Sequence, residues 1–503
     1  MKEAQASTPL AATDGEERST HEGREGIRAP VLCVDLDGSL IKSDLLFEGV
    51  MTLLKRNPLT VFSLLWWLIR GKVYLKIQVA ARTMLDPTRL AFNQRVLSLV
   101  ENYSRSGALV MLTTSAHRHV AQAVADHIGK FDIVLATGPG INLGGKRKLS
   151  AILDAVGERP FAYVGNARED LVIWTQSAAA YVVDPAPFVL SRLRRMSNLP
   201  VELIRTKPPF LHSIVKALRL HQWLKNVLVF VPVVAAHRID QWAPLSGALC
   251  MFLAFGLTAS SIYLVNDLMD LDADRRHPRK RNRPFAAGDL SIALGLALAP
   301  LLLVSGLAMA LWINQIAAAL LLGYAAVSLS YTFLLKRYVV LDVITLASLY
   351  TLRIVAGAAA SVIVPSFWLL AFSMFLFLSL ATVKRVAELH VLTAAGTNAA
   401  VDRDYAVSDA GTIRALGISA GYLSVLVFAL YMNAPEVQAQ YKTPQALWAI
   451  CVILLYWLGR LWVKTDRGEM HDDPLIFTAL DWNSRIVALF CVVIIFVATV
   501  QWV

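Results

Sequence analysis

Charge is scarce in this chain, and cysteine scarcer still. Only 17% of its 503 residues are Asp, Glu, Lys or Arg, while 56% are hydrophobic; an ordinary soluble domain carries about 25% charged residues. That shortage excludes a purely soluble protein. The four cysteines, Cys33, Cys250, Cys451 and Cys491, lie far apart with no CxxC spacing, so neither a disulfide framework nor a zinc site is indicated, and a reducing compartment is the simpler reading. Acidic residues are outnumbered by basic ones, 37 to 48, for a net charge of +11. The opening stretch, MKEAQASTPLAATDGEERSTHEGREG, lacks an apolar run, which excludes a cleaved signal peptide and predicts a first domain in the cytosol.

What is present falls into zones. Residues 1–28 are small, polar and charged and predict a disordered tail, since they bury too little to offset the entropy of ordering. Over 29–185, apolar runs of strand length (Val31–Val34, Leu109–Leu112, Ile133–Ala136, Phe161–Val164, Ala180–Val183) alternate with stretches of helical length, the pattern of an α/β, Rossmann-like domain around a parallel sheet. An insertion near 45–105 contains Leu53–Arg70, with Trp66 and Trp67, too interrupted to span a bilayer; it reads as the core of a helical cap, with the membrane interface as the alternative. Residues 186–222 read as a basic connector.

From 223 to 503 apolar stretches of spanning length recur. They predict an all-α polytopic domain of about nine helices, near 224–237, 243–266, 291–312, 314–334, 339–360, 365–384, 411–432, 443–463 and 484–502. With a cytosolic N-terminus, the connections after the second, fourth, sixth and eighth helices are cytosolic. Those connections hold the Lys and Arg clusters, the last of them Lys464 and Arg467, and the opposite loops are poor in both, as the positive-inside rule requires. A multi-pass protein of the inner membrane follows, its active sites on the cytosolic side. The basic clusters at membrane edges suit anionic lipid headgroups and give no support to nucleic-acid binding.

At the end of the second predicted helix, Asn266 is followed by Asp267, Asp270 and Asp274. The i, i+3, i+7 spacing puts the three carboxylates on one helix face. Carboxylates so placed repel unless a cation sits among them, and hard oxygen donors favour Mg²⁺ shared with substrate phosphates. Six cations follow closely: Arg275, Arg276, Arg279, Lys280, Arg281 and Arg283. A diphosphate ligand needs both features.

This NDxxDxxxD stretch and its basic run resemble the first aspartate motif of the UbiA-type intramembrane prenyltransferases. His221–Asn226 (HQWLKN), Ser330–Lys336 (SYTFLLK), Lys384–Leu389 (KRVAEL) and His471–Pro474 (HDDP) resemble the decaprenyl-phosphate phosphoribosyltransferase branch. Aromatic prenyltransferases of the superfamily carry a second aspartate motif after the sixth helix, where this chain has Lys384, Arg385 and Glu388. A cationic pair there suits a polyprenyl monophosphate. The resemblance implies a transferase that moves phosphoribose from phosphoribosyl pyrophosphate to polyprenyl phosphate, a cell-wall lipid precursor, with Mg²⁺ held by Asp267, Asp270 and Asp274. Asn266, Lys280, Arg281, Arg283, Lys384, Arg385 and Glu388 are candidate substrate contacts. Lys225, Tyr331 and Lys336 are divided between substrate contact and anchoring at the interface. Arg353, within an apolar run, calls for a partner, and Asp342 is one candidate. The alternative activity is prenyl transfer from a polyprenyl diphosphate to an aromatic or other small acceptor; a non-catalytic membrane anchor or carrier is a third reading.

Asp35-Leu36-Asp37-Gly38-Ser39 follows the first predicted strand and resembles motif one of the haloacid dehalogenase-like hydrolases. Thr113 or Thr114 ending the second strand, Lys148, and Gly165–Asp170 match the later motifs in order. The resemblance implies Asp35 as nucleophile, Asp37 as acid/base, Thr113 and Lys148 as phosphate contacts, and Mg²⁺ on Asp35, Asp37 and Asp170. Asn166 stands where that family usually has an acid, which leaves open an active phosphatase or a structural domain.

Overall fold

In a computed structural model the chain is described over residues 30–138, 143–196, 199–394, 396, 403–435, 437, 441–470 and 473–499. The predicted tail, His471 and Asp472 fall outside the described residues. In chain order, strand β1 (Val31–Asp35) is followed by helices α1 (Leu45–Arg56), α2 (Thr60–Ile69), α3 (Lys72–Arg82) and α4 (Gln94–Arg105). Then come β2 (Leu109–His117), α5 (Arg118–Ile128), β3 (Ile133–Thr137), α6 (Lys146–Val156), β4 (Phe161–Gly165), α7 (Leu171–Trp174), β5 (Ala179–Val183), α8 (Pro187–Leu193) and β6 (Val201–Ile204). The remainder is helical: α9 (Phe210–Leu218), a 3₁₀ stretch over Leu220–Phe230, α10 (Val231–Ala235), α11 (Trp242–Met269), α12 (Leu271–Arg276), α13 (Ile292–Ile313), α14 (Gln315–Phe333), α15 (Leu341–Ala360), α16 (Phe367–Ala394), α17 (Ala410–Met432), α18 (Trp448–Asp466), α19 (Pro474–Leu480) and α20 (Trp482–Thr499).

The chain divides into two compact units, one ending at Leu40 and resuming over Asn93–Thr206, the other holding Ile41–Phe92 and everything from Lys207. In the first, six strands form one sheet in the order β3-β2-β1-β4-β5-β6, every pairing parallel. Central β1, VLCVD, is buried throughout, because helices cover both faces of such a sheet and its strands read as continuous apolar runs. The sixth strand lies inside the stretch read as a connector: Val201–Ile204 pairs with β5, so the sheet unit runs to Thr206. Its short, half-exposed pattern carries too little apolar signal to mark it as a strand.

In the second unit eight helices, among the described residues, are long and apolar enough to cross a membrane, which makes this a multi-pass membrane unit. The first of the nine expected spans is not among them: Leu220–Phe230 is wound as 3₁₀ and Pro232 opens α10, where a missing N–H suits a helix start better than an interior. Close approach fixes this segment against α15, since a Cβ on Gly357 would stand 2.0 Å from the Val229 carbonyl oxygen. Caps mark other boundaries; Asn314 accepts a hydrogen bond from the Ala317 N–H at 2.7 Å where α13 hands over to α14. Lys384 and Arg385, expected in a connection, lie inside α16, which continues to Ala394.

The insertion differs from the cap that was expected. Residues 41–92 group with the membrane helices, while α4 belongs with the sheet. Met51 of α1 is buried with Leu264 and Leu268 of α11, with Phe47 and Leu54 beside them. Glu48 accepts from both terminal nitrogens of Arg275, at 2.6 and 3.2 Å.

Candidate functional site

The sheet unit gathers its candidate groups at the ends of β1 and β4. The Asp35 carboxylate lies 2.7 Å from the Lys148 ammonium and accepts the Ser39 hydroxyl at 3.3 Å. Lys148, on α6, also donates to the Tyr163 hydroxyl at 3.1 Å and stands 3.7 Å from Asp170. Asp170 accepts the Tyr163 hydroxyl at 2.8 Å and the N–H groups of Asn166 and Ala167, each at 3.0 Å. Burial pushes the Asp35 carboxyl up to about 6, against the pull of Lys148. Burial also opposes the charge on Lys148, yet Asp35 and Asp170 outweigh it and its pKa rises. Asp37 is half-buried. Gly38 takes φ +76°, and a Cβ there would stand 2.1 Å from the Asn166 amide nitrogen; the glycine lets Asn166 close over the Asp37 turn. Thr113 is buried with its hydroxyl donating to the Val34 carbonyl at 3.3 Å. Neither Thr113 nor Thr114 ends β2, which continues to His117.

In the membrane unit the acidic motif is bent. α11 stops at Met269, Asp270 takes φ −93°, ψ 7° as its cap, and α12 restarts at Leu271, so the three carboxylates do not share one continuous helix face. Asp267 and Asp274 instead converge on one atom: Arg283 Nη1 lies 3.2 Å from Asp267 and 2.7 Å from Asp274. Arg219, which sequence reasoning missed, lies 2.5 Å from Asp267 and 5.0 Å from the Tyr263 ring. It occupies the left-handed region at φ 51°, a strain of about 1–3 kcal/mol for such a residue. Lys280 and Arg281 are exposed. Arg275 is committed to Glu48 and to the Arg89 and Ala286 carbonyls.

A second group lies around Lys225, whose ammonium is 2.5 Å from Asp473 and 6.0 Å from the Tyr350 ring. Lys384 is half-buried on α16. Among the described residues Arg353 finds no carboxylate: it donates to Asn226 at 3.1 Å, the Leu349 carbonyl at 2.7 Å and the Tyr324 hydroxyl at 2.9 Å. Asp342 pairs with Arg385, 2.6 Å away, and accepts the Tyr405 hydroxyl. Arg385 also pairs with Glu388, which Arg403 meets in turn. Arg385 and Glu388 are therefore neutralised by other side chains of the protein, and of the three charged residues on α16 Lys384 has no ion pair among the described residues. Tyr331 is half-buried near the end of α14. Lys336 is half-buried in the turn after α14.

Among the described residues no three His, Cys, Asp or Glu side chains gather as a metal-holding set. The acidic motif nevertheless offers hard oxygen donors. Two of its carboxylates already meet at one cation, and the Asn266 amide oxygen is buried without a hydrogen-bond partner, a state that costs about 1–3 kcal/mol unless something fills it. These residues fit a small divalent ion.

The model of the UbiA prenyltransferase family matches residues 227–485. An uncharacterized protein of Sinorhizobium fredii, y4nM, is 32% identical over 461 residues, covering 91% of this chain and 88% of its own, a span that includes both units. The decaprenyl-phosphate phosphoribosyltransferase of Corynebacterium glutamicum is 33% identical over 291 residues, covering 56% of this chain and 86% of its own. A solved UbiA homolog from Archaeoglobus fulgidus bound to GPP and Mg²⁺ is 18% identical, covers 56% of this chain and 99% of that one, and has a TM-score of 0.43. With more than half of its length matched by the family model, the chain belongs to the UbiA prenyltransferase family.

Proposed function

We propose that the membrane unit transfers phosphoribose from phosphoribosyl pyrophosphate to a polyprenyl phosphate, and that the sheet unit then removes the ribose phosphate. The observation that carries the first half is the pairing of Asp267 and Asp274 on a single cation position, with the Asn266 side-chain oxygen buried and unpartnered in the same motif. Asp267, Asp270, Asp274 and Asn266 would hold Mg²⁺, which when bound supplies neutralisation of the diphosphate. Arg219 and Arg283, which pair with Asp267, would take charge on the departing pyrophosphate. Lys225 and Lys384 suit a monophosphate acceptor that needs no second acidic motif. A lipid phosphate oxygen bonds to the anomeric carbon as the carbon–oxygen bond to pyrophosphate breaks. Relatives named decaprenyl-phosphate phosphoribosyltransferase, at modest identity, support this branch.

The orientation proposed is cytosolic for both sites, in the inner membrane. It requires the chain to cross once before α11. A 3₁₀ helix rises about 2.0 Å per residue against about 1.5 Å in an α-helix, so Leu220–Ala235 reaches about 30 Å, the thickness of the hydrocarbon core.

In the sheet unit, Asp35 would attack phosphorus and Asp37 protonate the leaving oxygen, with Asp35, the Asp37 carbonyl and Asp170 available to Mg²⁺, while Lys148 and Thr113 face the phosphate. Attack needs the ionised carboxylate. Burial holds the metal-free Asp35 near 6 and Mg²⁺ on it would favour the ionised form, so phosphatase activity is expected to be lost on acidification at or below about 6. Lys148→Met, which removes the charge that lowers it, is expected to move this limb to higher pH. A pH–rate profile on a phosphomonoester checks both statements, and a limb unmoved by Lys148→Met would contradict the assignment.

Mass spectrometry of lipids formed from detergent-solubilised protein, Mg²⁺, polyprenyl phosphate and phosphoribosyl pyrophosphate tests the whole reading. A phosphoribosyl-lipid is expected from Asp35→Asn and a ribosyl-lipid from the intact chain. Identical products from the two would remove the phosphatase role. No new lipid from either would favour prenyl transfer from a polyprenyl diphosphate.

A further inference from the structure

The helices of residues 41–92 leave an apolar surface uncovered. Their inner side is a closed cluster: Leu46, Val50 and Leu53 of α1, Leu64 of α2 and Leu75 and Val79 of α3 are buried together, with Leu296 from the first turns of α13 packed against them. Leu64 is the one residue of α2 that is buried. The rest of that helix, TVFSLLWWLI, turns large side chains outward, with Phe62 69% and Ile69 80% exposed; α3 adds Val73 and Ile77. An exposed apolar face of this kind marks an interaction surface, and scattered single residues do not make one.

Charge and position identify what covers it. From Lys55 to Arg82 the sequence has six basic residues and no Asp or Glu. Arg70 lies over the Trp66 ring at 4.8 Å and Arg82 over Trp67 at 4.8 Å, so the cations flank the aromatic face. Trp and Tyr with Lys and Arg at their side are the composition of the membrane–water boundary. The position agrees. Leu296 belongs to the opening turns of a membrane-spanning helix, and α1 packs on the end of α11 through Leu264 and Leu268, so the surface continues from where two spanning helices meet the boundary.

We propose that α2 and the adjoining face of α3 lie in the headgroup region of the bilayer, as an interfacial helical hairpin that recognises anionic lipid. The apolar side chains enter the acyl boundary while Arg56, Arg70 and Lys72 stay with the phosphates. The chain of the sheet unit leaves at Leu40 and returns at Asn93, so this hairpin is a second membrane attachment for that unit, additional to the link at Thr206.

The test attaches an environment-sensitive fluorophore to Phe62→Cys or Ile69→Cys in the full chain, reconstituted in vesicles of phosphatidylcholine mixed with phosphatidylglycerol. Glu158→Cys, exposed in the sheet unit, is the reference, and wild type labelled identically sets the background of the four native cysteines. At both α2 positions the expected results are a blue shift, loss of emission to a nitroxide lipid of shallow depth, and protection from iodide. Iodide quenching equal to that at Glu158→Cys would overturn the proposal by placing the face in water. Protection from iodide and nitroxide lipid together would also overturn it, because protein, such as a second copy of this chain, would then cover the face. All the probe sites are surface positions outside the acidic motif, so folding is not at stake.

Discussion

Asp267→Asn is expected to lower Mg²⁺-dependent formation of the phosphoribosyl-lipid by about 10²–10³-fold, the usual cost of removing one electrostatic element aimed at developing charge. The carboxylate is buried, yet it faces Arg219 at 2.5 Å and Arg283 at 3.2 Å, and Arg283 retains Asp274 at 2.7 Å after the change. Asparagine keeps the shape and one oxygen. Both arginines are about a quarter exposed, so water can solvate what they lose and the stability cost stays near the about 0–1 kcal/mol of exposed pairs. The comparison that gives this result meaning is Asp272→Asn. Asp272 belongs to the same run of acids but lies 4.0 Å from Lys55 and from Arg89, away from Arg283, and its removal is expected to change the rate by less than about twofold. Product formation followed by mass spectrometry across a Mg²⁺ titration separates the two. Equal losses at Asp267 and Asp272 would mean that the acidic run acts only through its overall charge, and the metal assignment would fail.

Arg385→Met is expected to destabilise the membrane unit by about 3–5 kcal/mol, because it strands a buried carboxylate. Arg385 and Asp342 are 1% and 0% exposed, on α16 and α15, and the Tyr405 hydroxyl bonded to Asp342 cannot neutralise it. Since total stabilities are about 5–15 kcal/mol, a loss of that size should appear as a marked fall in the midpoint of thermal aggregation in detergent. Adding Asp342→Leu removes the stranded charge, and the double variant is expected to regain most of the midpoint, as buried pairs replaced by apolar groups often do. The cycle also decides what Arg385 is for. A substrate-binding arginine would lose lipid product without losing stability, and Asp342→Leu would not restore the midpoint. Glu388 is the contrasting position: at 37% exposed and shared between Arg385 and Arg403, its removal is expected to matter much less.

These pairings explain why parts of the site could not be read from the chain alone. The spacing of Asp267, Asp270 and Asp274 assumes one straight helix, whereas the backbone breaks at Asp270 and brings only two of the acids to Arg283. Arg219 carries no motif and is placed by a left-handed turn 48 positions before its partner. Asp473 lies in the HDDP stretch, for which the sequence names no partner, and it meets Lys225 across 248 residues. Asp342 was a candidate partner for Arg353, and the fold gives it to Arg385 while Arg353 is satisfied by neutral oxygens.

The sequence by itself determined the eight long spans and five of the six strands, and the physical reason is that both signals are local. A bilayer demands about 20 apolar residues in a row whatever their partners, and a parallel sheet buried on both faces demands short apolar runs such as VLCVD. It determined the acidic motif for the same reason, since ligand chemistry limits the residue types. Tertiary structure alone decided which charges remain for a substrate. Arg385, Glu388 and Arg275 stand in the same charged stretches as other candidate contacts, and only packing shows that they are taken up by Asp342, Arg403 and Glu48, whereas Lys384 has no ion pair among the described residues. It also decided that residues 41–92 join the membrane helices, because the apolar side of α1 is complementary to the end of α11. Amphipathic pattern states that a helix must bury one face, and leaves open against what.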